Sequence, residues 1–198
     1  IVSYGFLNSR MLTLSNTAEV PMRYTLRVLG DDPQPEFDIV PGRGTLLPNC
    51  SQRVQIDFVS KKEQTYNLAL AVDLEGVGNE LKTIPITAQC AAPQVTFEPH
   101  GCLSYGDVFI RYPFHQSLYL HNTSNLPAKF EVMPQEDKSR AEFEPDQWSG
   151  SVPPCASHVI TVTLTAHAPG PVRVPMYVRI PGRAVPFPLV LVANSIGP

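Results

Sequence analysis

Histidine and cysteine approach one another twice in this 198-residue chain, as His-x-Cys at His100 and Cys102 and as Cys-x-x-His at Cys155 and His158. Together they would form a Cys2His2 donor set, the ligand chemistry of a tetrahedral zinc site. The pairing needs two distant segments to meet, and the first half of the chain holds no equivalent, so no metal ligand is assigned. Carboxylates are paired at Asp31–Asp32 and Glu136–Asp137. General acid–base work would need them held in reach of a substrate. Both pairs lie in polar runs that read as solvated turns. The run PGRG at 41–44 has two glycines but no helical pattern after it, so it reads as a turn and not as a phosphate cradle. No GxSxG, HExxH, phosphate-loop or dinucleotide pattern occurs. The chain is therefore read as no enzyme, with no catalytic residue, no cofactor and no small-molecule substrate.

The four cysteines fall two to each half, Cys50 and Cys90, then Cys102 and Cys155. One pair per sandwich would suit an immunoglobulin disulfide. The internal repeat described below does not align them, so reduced thiols in a cytosolic setting are expected. Two glycosylation tripeptides, NCS at Asn49 and NTS at Asn122, keep a secreted alternative open.

Bulk properties exclude several partner classes. Net charge is −3 and evenly spread, which gives neither nucleic acid nor an anionic membrane a basic face. Hydrophobic content of 43% supports packed cores, yet no run approaches the roughly 18 apolar residues of a membrane helix. The opening IVSYGFLNSR lacks the pattern of a signal peptide and an initiator Met, which is the expectation for a fragment of something longer. Proline, 21 of 198 residues, argues against helices and suits strand ends and sheet edges.

A repeat organises the chain. LTLSNTAEVP at 12–21 returns 106 residues later as LYLHNTSNLP at 118–127. At the same offset Phe37, Gly44, Pro48, Val72 and Gly76 meet Phe143, Gly150, Pro154, Val178 and Gly182; after one deletion Ile84, Ile86 and Ala88 meet Leu189, Leu191 and Ala193. Such a period fits two whole domains in tandem. Apolar residues alternate at Val54, Ile56 and Phe58, at Leu68, Leu70, Val72 and Leu74, and at their counterparts, the period of a strand with one buried face. Other strands read at Leu12–Leu14, Tyr24–Val28, Ile84–Ala88, Leu118–Leu120, Phe130–Val132 and Leu189–Ala193. The fold class expected is all-β: two tandem immunoglobulin-like β-sandwich domains. Residues 1–91 form a domain lacking its first strand, and residues 92–198 a complete one whose first strand is Val95–Phe97. The short linker near Cys90–Pro93 is expected to hold the two in contact. In N-T-x-x-x-P, Asn or Thr closes the turn with its own side chain and Pro starts the next strand.

Five residues are candidate partner contacts. Trp148 is the only tryptophan and lies in a polar loop. Tyr112 and Phe114 flank Pro113, where capping of their own sandwich is the competing reading. Val190 and Val192 make the last strand apolar on both faces, so it is either central and covered or meets a neighbour. Pro175 puts its strand at an edge, or leaves its N–H side unpaired.

The second repeat, with YGDVF at 105–109, YPF at 112–114, LYLHNTSNLPAKFEV at 118–132 and Gly150 followed by Pro153–Pro154, resembles the ASH domains of ciliary and centrosomal proteins. In its tandem repetition it resembles the ASH arrays of axonemal central-apparatus proteins. That resemblance implies PapD/MSP-like sandwiches and a structural role in the motile-cilium axoneme, a cytoplasmic and cytoskeletal location. It implies protein–protein contacts with other axonemal proteins and with neighbouring ASH domains of the same chain. It brings no catalytic residues. The alternatives are a secreted adhesion or chaperone-like sandwich and an MSP-type peptide-binding adaptor, which would need a basic groove.

Overall fold

The computed structural model describes residues 1–30 and 34–197; the Asp31–Asp32 pair lies outside the described residues. Among the described residues every regular element is a strand. The chain divides into two compact units, Ile1–Ala91 and Ala92–Pro198.

In the first unit a five-stranded sheet runs in the order β1 (Val2–Ser3), β8 (Gly78–Ala91), β7 (Thr65–Leu74), β3 (Met22–Leu29), β5 (Arg43–Leu46). It faces a three-stranded sheet of β2 (Asn8–Ser15), β6 (Ser51–Phe58) and β4 (Phe37–Val40). In the second unit the larger sheet is β10 (Cys102–Phe109), β17 (Phe187–Ile196), β16 (Gly170–Arg179), β12 (Ala128–Val132), β14 (Ser149–Val152). Its companion has four strands: β13 (Ala141–Pro145), β15 (Ser157–Ala166), β11 (Pro113–Asn122) and β9 (Val95–Glu98). Two packed sheets per unit, antiparallel except for the parallel pairs β1–β8 and β10–β17, make each an immunoglobulin-like sandwich.

The sequence repeat is a repeat of strand register. Leu12 pairs with Val54 where Leu118 pairs with Ile160, and Tyr24 with Gly44 where Phe130 pairs with Gly150. Phe37 pairs with Phe58 where Phe143 pairs with Leu164, and Leu70 with Ile84 where Met176 pairs with Leu189. A slip of one residue would turn every core side chain to solvent. Shared register therefore follows from shared alternation. It is plainest in β16, where Val172, Val174, Met176 and Val178 are buried and the residues between them exposed.

Two local readings need adjustment. The segment VPGRG is not a turn throughout: Val40 ends β4, and Arg43 and Gly44 already belong to β5. Gly44 is needed there as a seat for a ring, since an added Cβ would stand 2.9 Å from Tyr24 Oη, and Gly150 faces Phe130 Cε1 in the same way at 2.7 Å. Strand β16 is not an edge; it lies between β17 and β12. Its ladder to β12 covers only Val178 and Arg179, so Pro175 stands beyond it and its missing N–H breaks nothing there. The last strand, β17, is central in its sheet, between β10 and β16.

The second unit buries one continuous core from Val95 to Leu191. The first has two smaller clusters, Tyr24, Leu26, Leu46, Val54 and Leu70 in one, and Phe58, Tyr66 and Cys90 in the other.

Candidate functional site

The residues that suggested zinc do not converge. His158 Nε2 lies 2.7 Å from Gln147 Oε1. Cys155 Sγ lies 3.1 Å from Asn125 Oδ1, and Cys102 pairs across to Val190. Among the described residues no three His, Cys, Asp or Glu side chains gather as a metal would require. Glu136–Asp137 lie in the loop between β12 and β13. There the Ser139 backbone N–H, and then its hydroxyl, hydrogen-bond the Asp137 carboxylate and hold it below the usual range. All four cysteines are free thiols; Cys50, Cys102 and Cys155 are exposed and Cys90 is buried. Burial pushes the Cys90 thiol up, against a hydrogen bond to Ser60 that pulls it down.

The five candidate contacts occupy three places. Tyr112 is exposed in the turn between β10 and β11 and meets Phe114 edge-on at 5.7 Å, while Phe114 packs against the core. Trp148 is 43% exposed between β13 and β14, its ring tilted against Phe143 at 6.3 Å. Val190 and Val192 are half-buried on the face of β17 opposite the core residues Leu189 and Leu191. The structure brings Tyr112 to Phe114 and Val190 alongside Val192, and joins no other pair among the five.

The repeated asparagine does more than close a turn. Asn122 is buried, and its amide donates to the carbonyls of Leu126, Val152 and Pro153 at 2.7–3.2 Å, while its oxygen accepts from Ser124 N–H. Asn16 repeats the pattern with Val20, Leu46, Leu47 and Ala18. Each ties the end of β11 or β2 to the last residue of β14 or β5 in the other sheet and to the turn leading into β12 or β3. With its donors spent and its atoms buried, the Asn122 amide presents no accessible nitrogen for a glycan in the folded state.

One feature of the first unit escaped sequence reasoning. A cleft of ≈ 490 Å³ opens between its two sheets, lined by Met11 and Leu12 of β2, Ile56 of β6, Leu70 of β7 and Ile84 and Ile86 of β8. Its trace in the sequence is the strand at Val95–Phe97, which stands ahead of Leu118 in the second repeat and has no match ahead of Leu12.

No family model matches the chain. It is 30% identical over 226 aligned residues to the human hydrocephalus-inducing protein homolog, covering 99% of this chain. The chain is similar to one segment of hydrocephalus-inducing protein. The mouse protein matches equally, at 30% identity over 229 residues. The chain spans 4% of the length of these relatives. Among solved structures, the ASH/PapD-like domain 7 of human CEP192 is similar at TM-score 0.45 and 14% identity, over 52% of this chain and 86% of that one. The Caenorhabditis elegans MSP-domain-like protein SSP-19 is similar at TM-score 0.40 and 16% identity, over 50% of this chain and 98% of that one. The fold of this hydrocephalus-inducing-protein-like segment is carried by its own strand order and register.

Proposed function

We propose that this segment is a non-enzymatic scaffold element of the motile-cilium axoneme, within the central-pair apparatus. The observation that carries the reading is the 30% identity to hydrocephalus-inducing protein along 99% of the chain. The repetition of one sandwich in one register supports it. Sandwiches built this way hold their outlines through backbone ladders and buried clamps, which suits a spacer and docking surface. Its partners on this reading are other axonemal proteins and neighbouring ASH domains of the same polypeptide, met by exposed strand faces and loop tips. Trp148, Tyr112, Val190 and Val192 are the surface positions offered for them, with Phe114 fixing Tyr112 from beneath. The cellular location is cytoplasmic, on the cytoskeleton of the cilium. No cofactor, nucleic acid or membrane is required.

The test is to express the tagged chain in multiciliated cells and image it after detergent extraction. Retention along the axoneme is the expected outcome. Appearance in the medium, or a mass shift removed by endoglycosidase, would support a secreted sandwich and overturn the proposal.

A further inference from the structure

The cleft in the first unit lies where the second unit keeps two strands. In the second unit β9 pairs antiparallel with β11, Phe97 opposite Leu120, and β10 runs parallel to β17, Leu103 opposite Leu191. Phe97, Leu103 and Val108 are sealed in the core, and the buried Tyr105 donates its hydroxyl to the Val162 carbonyl at 2.8 Å. The residues beneath them are sealed too: Leu118, Leu120, Val162, Leu189 and Leu191 are each 1% exposed or less. Their counterparts in the first unit, Leu12, Leu14, Ile56, Ile84 and Ile86, are only half-buried. The same positions, in the same register, are closed in one unit and open in the other.

We propose that this cleft is a strand-acceptor site, and that its occupant is the stretch of the same polypeptide leading into β1. Direction and register choose the occupant. Val2 and Ser3 already pair parallel with Cys90 and Ala91, the places where Val108 and Phe109 pair with Ser195 and Ile196. A strand continued backwards from Val2, with the one-residue shift that β10 makes between Ser104 and Asp107, passes Thr87, Ile86 and Pro85, as Ser104, Leu103 and Cys102 pass Val192, Leu191 and Val190. It then crosses to the edge of β2, which among the described residues has a partner strand on one side only. The chemistry asked of the occupant is that of Gln94–Gly106: apolar residues at alternate positions to fill the cleft, and a hydroxyl-bearing aromatic able to reach the Ile56 carbonyl. An acceptor of this kind would make the first unit's stability depend on chain that precedes it, independently of where in the cell the protein works.

The test compares the 198-residue chain with two extended forms. One carries a copy of Gln94–Gly106 directly before Ile1. The other carries the same copy with Phe97→Ser, Leu103→Ser and Tyr105→Ser within it. The first extension is expected to abolish binding of a hydrophobic dye, and to slow hydrogen exchange at Leu12, Leu14, Ile86 and Thr87 by about tenfold or more. The serine form is expected to match the unextended chain. The proposal is overturned if both extensions behave alike. It is equally overturned if sedimentation shows that the unextended chain pairs with a second copy and already protects those amides, which would make another molecule the occupant.

Discussion

Asn122 and Asn16 each reach three carbonyls with one amide nitrogen, whose two N–H donors are shared among them. Asn122→Ala would strand buried acceptors and the Ser124 N–H, and a loss of about 2–4 kcal/mol is expected in urea denaturation. Asn122→Asp should fare no better at neutral pH, because the three carbonyls need a donor and a carboxylate only accepts; full stability in the Asp variant would show that the clamp is ornamental. Gly150 poses a different constraint. Its added Cβ would meet both Cε1 and Cζ of the buried Phe130 at 2.7 Å, so Gly150→Ala is expected to cost about 1–3 kcal/mol by overpacking alone. Ser195 runs the other way. Its hydroxyl is buried without a hydrogen-bond partner, and its counterpart is the thiol of Cys90, a weak donor that makes only a long contact, 3.8 Å, to the Ser60 carbonyl. Ser195→Ala is therefore expected to leave the melting temperature unchanged or to raise it, and a fall of several degrees would mean that the hydroxyl has an unrecognised role.

Strands were legible wherever a buried face alternates with a solvated one, as in Val54–Phe58 or Val174–Ile180, because period two is written into residue type. The short strands β4 and β5 and their counterparts β13 and β14 were not, since four or five residues such as Arg43–Leu46 or Ser149–Val152 hold too few apolar positions to set a period. The role of Gly44 was hidden for a related reason: a glycine under a cross-strand ring looks in sequence like a glycine in a turn. Pro175 left two readings open, an edge strand or an unpaired N–H side, and the second applies: a ladder that stops short leaves that gap in a central strand. None of the five contact candidates could be ranked, because exposure depends on neighbours that sequence spacing does not name. The tip joining β7 to β8 offers a test at this scale. Arg27 bonds Asp73 and Glu80 at 2.8 Å each, and Glu80 N–H donates to the Asp73 carboxylate. The Arg27 hydrogen bond, then the Glu80 N–H, hold the Asp73 carboxyl below its ordinary value. A depressed folded-state pKa contributes stability above the unfolded value of about 3.9, and that contribution disappears as pH falls through the folded value. Asp73→Asn should accordingly destabilise at pH 7, and the gap to the parent protein should close in acid; a gap that persists at low pH would assign the effect to shape and not to charge.

Across the whole molecule the two units share a fold and differ in closure. The second has a single core that β9 and β10 complete, while the first has two clusters flanking an open cleft. Local opening follows the density of buried apolar contacts, so the first unit is expected to open more often. Cys90 is well placed to report it: buried in the smaller cluster with Phe58 and Tyr66, it can meet a labelling reagent only when that cluster parts. Burial also raises its thiol above the ordinary range, which keeps the reactive thiolate scarce even in transient openings. Cys50, Cys102 and Cys155 are exposed and need no such opening. Native labelling is thus expected to give three rapid sites and one slower by about a hundredfold or more. As denaturant is added, the slow site should accelerate before the amides of Leu118 and Leu120 begin to exchange. A Cys90 that stays silent until those amides exchange would mean that the cleft costs the first unit nothing. Fewer than four thiols in the unfolded, unreduced chain would show a disulfide that the folded arrangement does not contain.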